Sequence, residues 1–445
     1  MTTVAEVRLW NTSIGAVSLG DDADVAAFAY EPSFVGSGVE VAPLMMPLGR
    51  EIYAFPDLPR PSFHGLPGML ADSLPDKYGN ILIDAWLATQ GRTPQSFNAV
   101  ERLCYTGARG MGALEFVPSQ GPRQRKSKPV KIDALVALAS EVLTHRNNLQ
   151  ASFADGDRAN GLREILGVGT SAGGARAKAV IAWNPETNEV RSGQISAGEG
   201  FGYWLLKFDG VSDNADKELA DPMGYGAVEY AYSRMAAAAG ISVSECRLLE
   251  EGGRRHFMTR RFDRTDDGDK LHMQSLAAIG HLDFNNQHVN SYEQALFIMR
   301  RMGLPMKTLE DQVRRMIFNV IGRNHDDHVK NIAFLMDRTG RWRLSPAFDI
   351  TWSYNPNGPW TARHQMSVNG KRDDFELADF EACARTVSIS SRRVRALLED
   401  VREAVSEWPR FADDVGVGAD WRKAIDPSLR LTIGKAERPA RKMPQ

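Results

Sequence analysis

The octet NHDDHVKN, residues 324–331, concentrates two histidines, two aspartates, a lysine and two asparagines behind a mainly apolar run. Asp326 and Asn331 have the Asp-x-x-x-x-Asn spacing of a kinase catalytic loop. There a carboxylate orients the attacking hydroxyl and an amide oxygen helps to hold Mg²⁺ on the nucleotide phosphates. Beyond the octet, NIAFLMD and RWRLSPA read as two short strands around an Arg-Thr-Gly turn, which returns the chain to Asp349 at the same end. Asp326, Asn331 and Asp349 are therefore expected to converge, with Asp349 as a second metal-binding aspartate. Direct metal binding by His325, Asp326, Asp327 and His328 is the competing chemistry, although no clear second histidine pair accompanies them. A Mg²⁺-dependent phosphohydrolase or nuclease, and a plain Asp/Asn-rich turn in a non-catalytic interaction module, are the other two readings.

Phosphoryl transfer also needs a cover over the phosphates and a cation to hold them. GVGTSAGG, residues 167–174, offers flexible backbone N–H groups, with Gly173 and Gly174 closest to the strand that follows. It lacks the Gly-Lys-Ser/Thr ending of a Walker loop and runs into a strand, which sets it apart from a dinucleotide fingerprint. Lys207 is a lone charge in the apolar strand YWLLKFDG, and Glu229 on the following helix is a candidate partner.

The elements that must position these residues divide the chain in three. Residues 1–122 open with alternating apolar bursts between Gly, Asp, Ser and Pro, a small antiparallel β unit, followed by a helix across DKYGNILIDAWLATQGR. SQGPRQRKSKPVK, with five Lys/Arg and two Pro, reads as an exposed linker into residues 123–265, a small lobe of strands with one inserted helix, YGAVEYAYSRMAAAAG. Helical periodicity dominates residues 266–445, as in LEDQVRRMIFNVIGR and SSRRVRALLEDVREAVSEW. The expected class is α+β, a two-lobed fold with a small β-rich N-terminal subdomain and a mainly helical C-terminal lobe.

With 445 residues, 43% hydrophobic and 25% charged, the chain has ample material for such cores. A formal charge of -2 gives no global attraction to nucleic acid or anionic membrane. Cys104, Cys246 and Cys383 are too scattered for a disulfide framework, and no apolar run approaches 18 residues. The expectation is a cytoplasmic chain with no membrane association.

IGRNHDDHVKN, RLSPAFDI, MSVNGKRDDF, HFMTRRFDR and SAGGARAKA occur in the order and spacing of the HipA family, and FHGLPGMLADSLPDKYG resembles its N-terminal β region. The sequence thus resembles, over most of its length, the HipA serine/threonine kinase toxins of bacterial toxin–antitoxin pairs, whose kinase-like fold is distantly related to lipid kinases. That resemblance implies ATP and Mg²⁺ as cofactors, Asp326 as catalytic aspartate, Asn331 and Asp349 as metal ligands, and Lys207 as the nucleotide-clamping lysine. His328 and Lys330 would fill the remaining polar positions beside the transferred phosphate. Arg260, Arg261 and Phe262 would form the hinge against adenine, with Asp263 reaching the ribose, although family members often carry Glu at the position of Arg260. The family's autophosphorylated serine lies seven residues before a lysine. Ser171 stands seven before Lys178, with Thr170 beside it. A phosphate there would eject the loop and switch the enzyme off. The implied partners are a HipB-like helix-turn-helix antitoxin, DNA only through that antitoxin, and a translation component such as an aminoacyl-tRNA synthetase as protein substrate.

Overall fold

The computed structural model describes residues 2–121, 127, 129–144, 165–166, 168–169, 176–211, 223–265 and 267–435. Thr170, Ser171, Gly173 and Gly174 lie outside the described residues. Strands β1 (Thr3–Leu9), β2 (Thr12–Leu19), β3 (Ala27–Tyr30) and β4 (Ile52–Tyr53) form the expected antiparallel unit, and β5 (Leu114–Val117) completes it in the order β4-β3-β2-β1-β5. Alternation along β1 buries Ala5, Val7 and Leu9 on one face. Gly15 is required where β2 meets β3, because a Cβ there would sit 2.2 Å from the Ala29 carbonyl oxygen.

A second antiparallel sheet holds β6 (Lys178–Trp183), β7 (Val190–Ser192), β8 (Gly202–Lys207), β9 (Cys246–Glu251) and β10 (Arg254–Arg260) in the order β7-β6-β8-β10-β9. Gly252 and Gly253, at φ 58° and 77°, make the two-residue turn between β9 and β10 that only left-handed backbone allows. Register places Lys178 of β6 and Phe257 of β10 on either side of Lys207. The helix Tyr225–Ala238, carrying Glu229, packs across β9 and β10.

A three-stranded sheet follows, β11 (His272–Ser275), β12 (Ala333–Met336) and β13 (Trp342–Leu344), embedded among helices. The β12–β13 hairpin is the expected one. Its pairing with β11 was hidden in a stretch read as helical. Helix Met306–Ile321 buries Leu309, Val313, Met316, Ile317 and Val320, one face at helical spacing, against helix Ser391–Ser406. It stops at Gly322, and Arg323 at φ 58° turns the chain into the acidic cluster. Among the described residues no helix is long and apolar enough to cross a membrane.

The cores do not follow the three sequence segments. Tyr78, Leu82, Ile83 and Leu87 of helix Lys77–Thr89 are buried with Ala179, Ile181 and Leu206 of the small-lobe sheet. Met336 of β12 is buried in the core of the N-terminal sheet. The first segment therefore grips both lobes.

Candidate active site

The loop after helix Met306–Ile321 is held by its second aspartate. Asp327 has no exposed side-chain surface, and its carboxylate accepts from Tyr292 Oη at 2.9 Å and the Gln365 backbone N–H at 2.8 Å, with His364 Nδ1 at 2.9 Å. His325 is buried against His364 and Tyr354, with ring centroids 4.1 and 4.9 Å away. Burial, His364 and Arg323 hold its imidazole far below its ordinary value, so it stays neutral. These two residues, candidates for direct metal binding, are spent on fixing the loop.

Asp326, by contrast, keeps 41% of its side chain exposed. Its backbone oxygen accepts from Asn331 Nδ2 at 2.8 Å, which closes the Asp-x-x-x-x-Asn loop and leaves the Asn331 amide oxygen as the atom able to meet a cation. His328 caps the short turn Val329–Asn331 by accepting from Lys330 N at Nδ1 (3.2 Å), and its Nε2 lies 3.6 Å from Asp326 Oδ1. Lys330 turns toward the first segment: Nζ is 3.9 Å from Asp72 and 4.7 Å from the Phe284 ring centroid. Asp72 in turn accepts from Ser275 N and Oγ at 2.6 and 2.8 Å.

Asp349 and Lys207 meet opposite this loop. Lys207 Nζ is 2.5 Å from Asp349 Oδ1 and 2.6 Å from Glu229 Oε1, with 11% of its side chain exposed. Burial opposes the ammonium charge, but the two carboxylates prevail and raise its pKa above the ordinary lysine value. Burial likewise works to raise the Asp349 carboxyl, and Lys207 followed by Lys178 outweighs it, holding the group below its ordinary value. Asp349 has φ 52°, a left-handed conformation that aspartate tolerates better than most residues, and Asn324 Nδ2 donates to its backbone oxygen at 3.3 Å. Asp349, Asn331 and His328 line one small cleft with Asn324 and Phe348. The structure thus brings Asp326, His328, Asn331, Asp349 and Lys207 together from separate elements.

The hinge candidates make contacts of their own within the protein. The backbone N–H groups of Arg260 and Arg261 donate to Glu245 O and Tyr203 O at 2.8 and 2.9 Å, so they are already engaged inside the lobe. Phe262 packs against Phe348, the neighbour of Asp349, with centroids 5.5 Å apart. Asp263, the ribose candidate, is paired inside the protein. It is fully buried between the Arg261 guanidinium (2.9 and 2.7 Å), Arg264 (2.8 Å) and the Gly112 N–H (2.7 Å). Burial raises its pKa, and the two guanidiniums overcome that and hold it well below the carboxylate range. Arg261, 4% exposed, is directed at Asp263 and Gly110 O. Two guanidiniums and a carboxylate packed where two units meet favour mutual pairing over a solvent-facing pose.

Residues the sequence reading passed over also shape the site. Lys178 Nζ lies 3.1 Å from Asp76, both side chains 2% exposed, and Asp76 also caps helix Lys77–Thr89 through Gly79 N. Asp76 was visible as a helix N-cap, whereas its partner is set by tertiary contact alone. Gln365 Nε2 donates to Asp326 Oδ1 at 2.7 Å, and no spacing rule points to it.

A β-rich lobe over a mainly helical lobe, with a Lys–Glu pair facing an Asp-x-x-x-x-Asn loop, defines a two-lobed α+β kinase-like fold. The chain belongs to the HipA family: residues 170–408 match the HipA-like C-terminal domain and residues 5–117 the HipA N-terminal domain. Its fold matches HipA in the Shewanella oneidensis MR-1 complex of HipA, HipB and operator DNA, with a TM-score of 0.66 and 17% identity over 95% of this chain and 94% of that one. Two relatives are named as putative kinases. That of Haemophilus influenzae is 26% identical over 135 residues, 27% of this chain and 39% of its own length. Y4mE of Sinorhizobium fredii is 25% identical over 191 residues, 39% of this chain and 44% of its own length. The matches therefore span less than half of either relative.

Proposed function

We propose that the chain is an ATP- and Mg²⁺-dependent serine/threonine protein kinase of the toxin–antitoxin type. The observation that carries this reading is Lys207 bridging Glu229 and Asp349 at 2.6 and 2.5 Å, with Asp349 in turn lining one cleft with Asn331 and His328 of the Asp326 loop. A lysine so restrained suits holding the phosphates of a nucleotide while one of them is transferred. Asp326 orients the acceptor hydroxyl, Lys207 neutralises phosphate charge, and His328 lies beside the reacting groups.

The donor set suits Mg²⁺. One carboxylate and one amide oxygen are what an ion that keeps waters and substrate phosphates needs from its protein, and among the described residues no group of three or more His, Cys, Asp or Glu could hold a metal by itself. Asp349 and Asn331 would hold the ion, which supplies charge neutralisation on the phosphates.

The HipA likeness supports a HipB-like helix-turn-helix antitoxin as partner, with DNA reached through it, and the family resemblance supports a translation component, such as an aminoacyl-tRNA synthetase, as substrate in the cytoplasm. Ser171, with Thr170 as its neighbour, is our candidate for inhibitory autophosphorylation, in the loop where Gly173 and Gly174 would approach the phosphates. The test is incubation with Mg²⁺ and γ-labelled ATP, then mass spectrometry of peptide 167–178. Label on Ser171 that vanishes in Asp326→Ala is expected. ATP consumed without labelled protein would instead identify a hydrolase, and full biological activity in both Asp326→Ala and Asp349→Ala an interaction module.

A further inference from the structure

We infer that Gln365 is a positioning residue for phosphoryl transfer, setting the orientation of the Asp326 carboxylate; this rests on the kinase reading above. Two consecutive residues, His364 and Gln365, grip two consecutive aspartates. His364 Nδ1 and the Gln365 backbone N–H meet the two oxygens of Asp327 at 2.9 and 2.8 Å, while the Gln365 side chain reaches past them to Asp326 Oδ1 at 2.7 Å.

The gripping segment is itself rigid. His364 exchanges backbone contacts with Arg372, donating to its oxygen at 3.1 Å and accepting from Arg372 Nε at 2.5 Å. Ser367 donates to Asn290 O at 3.0 Å and accepts from Tyr292 N at 3.0 Å. Gln365 is 5% exposed and His364 fully buried, so the donor end of the bond to Asp326 is not a mobile surface contact.

An aspartate that must present one oxygen to a hydroxyl rotates freely about its terminal torsion unless the other oxygen is held. The Gln365 amide holds Oδ1, with His328 Nε2 at 3.6 Å on the same atom. Among the described residues no hydrogen bond reaches Oδ2, which is left for the acceptor. A neutral amide suits this task, since a cation there would draw the carboxylate into an ion pair and blunt it as a hydroxyl acceptor.

The test compares Gln365→Met, which keeps length and bulk but has no donor, with Gln365→Glu, which keeps shape and repels Asp326. The rate of label transfer from γ-labelled ATP to the full-length protein is followed against ATP concentration, with thermal unfolding as the check on folding. Loss of one charge-assisted hydrogen bond from an orienting group predicts a maximal rate about 10- to 100-fold lower in Gln365→Met, and lower again in Gln365→Glu. The ATP concentration for half-maximal rate stays unchanged, because Lys207, Asn331 and Asp349 are untouched. A Met variant as fast as the wild type, or one whose loss lies wholly in ATP affinity, overturns the role of Gln365 while leaving the kinase reading intact. A folded wild type that transfers no phosphate overturns both.

Discussion

Acid should weaken the seat of the N-terminal segment, and two histidines there contribute a definable part of the effect. His281 accepts the Gly68 N–H at Nε2 (3.0 Å) and lies edge-on to Phe55 and Phe63. His272, fully buried, has Nε2 3.3 Å from Val41 O and 2.9 Å from Gln274 Nε2. Burial lowers each from the ordinary 6.5 to about 4. The fold thus favours the neutral rings. Their contribution is complete above pH 6.5, falls as pH drops and the unfolded chain takes up protons first, and is gone once pH passes 4. A shift of 2.5 units corresponds to about 3.4 kcal/mol per histidine in full, and about 2 kcal/mol of it is already lost at pH 5. Together the two amount to about 4 kcal/mol at pH 5, a large part of the 5–15 kcal/mol that typically stabilises a protein. The assay is urea unfolding by tryptophan fluorescence at pH 7.5 and 5.0, for the wild type and His281→Gln, whose amide oxygen can still accept from Gly68. Wild type should lose about 2 kcal/mol more than the variant between the two pH values. Equal losses would refute the argument, since they would show that His281 is not held neutral by its seat.

Two further substitutions separate roles within the site. Lys207→Met removes the cation that bridges Glu229 and Asp349; we expect label transfer to fall below detection and thermal unfolding to register a destabilisation of about 3–5 kcal/mol, the usual cost of breaking a buried pair from one side. Asp263→Asn should destabilise by a similar amount, about 3–5 kcal/mol, by stranding Arg261 and Arg264. Its ATP concentration for half-maximal transfer should stay at the wild-type value, and a clear rise would restore Asp263 to the nucleotide site.

What was legible in the residues were features written locally. The β12–β13 hairpin follows from alternation and a Gly turn, so Asp349 could be brought back to Asp326 and Asn331 without coordinates. Lys207 stood out because an apolar strand has few reasons to contain a charge, and helix order sufficed to nominate Glu229. Other contacts are made by residues with no periodic signature. Gln365 sits in an irregular segment 39 positions beyond Asp326 and is placed by what His364 and Arg372 do around it. Asp263 makes the same point. Its neighbours in TRRFDR are cationic, and family resemblance assigns it a ribose, but the choice between substrate and protein depends on Gly112, 151 residues away, which presents its N–H to the same carboxylate. Asp72 and Asp76 make the same point in the other direction. They lie four apart in a segment that reads as part of the N-terminal unit, yet one touches Lys330 beside the catalytic loop and the other neutralises Lys178 beside Lys207. Spacing can nominate groups that share an element or a hairpin. Which charges end up opposite one another, and hence which remain free for a triphosphate, is decided by how the first segment packs against both lobes at once.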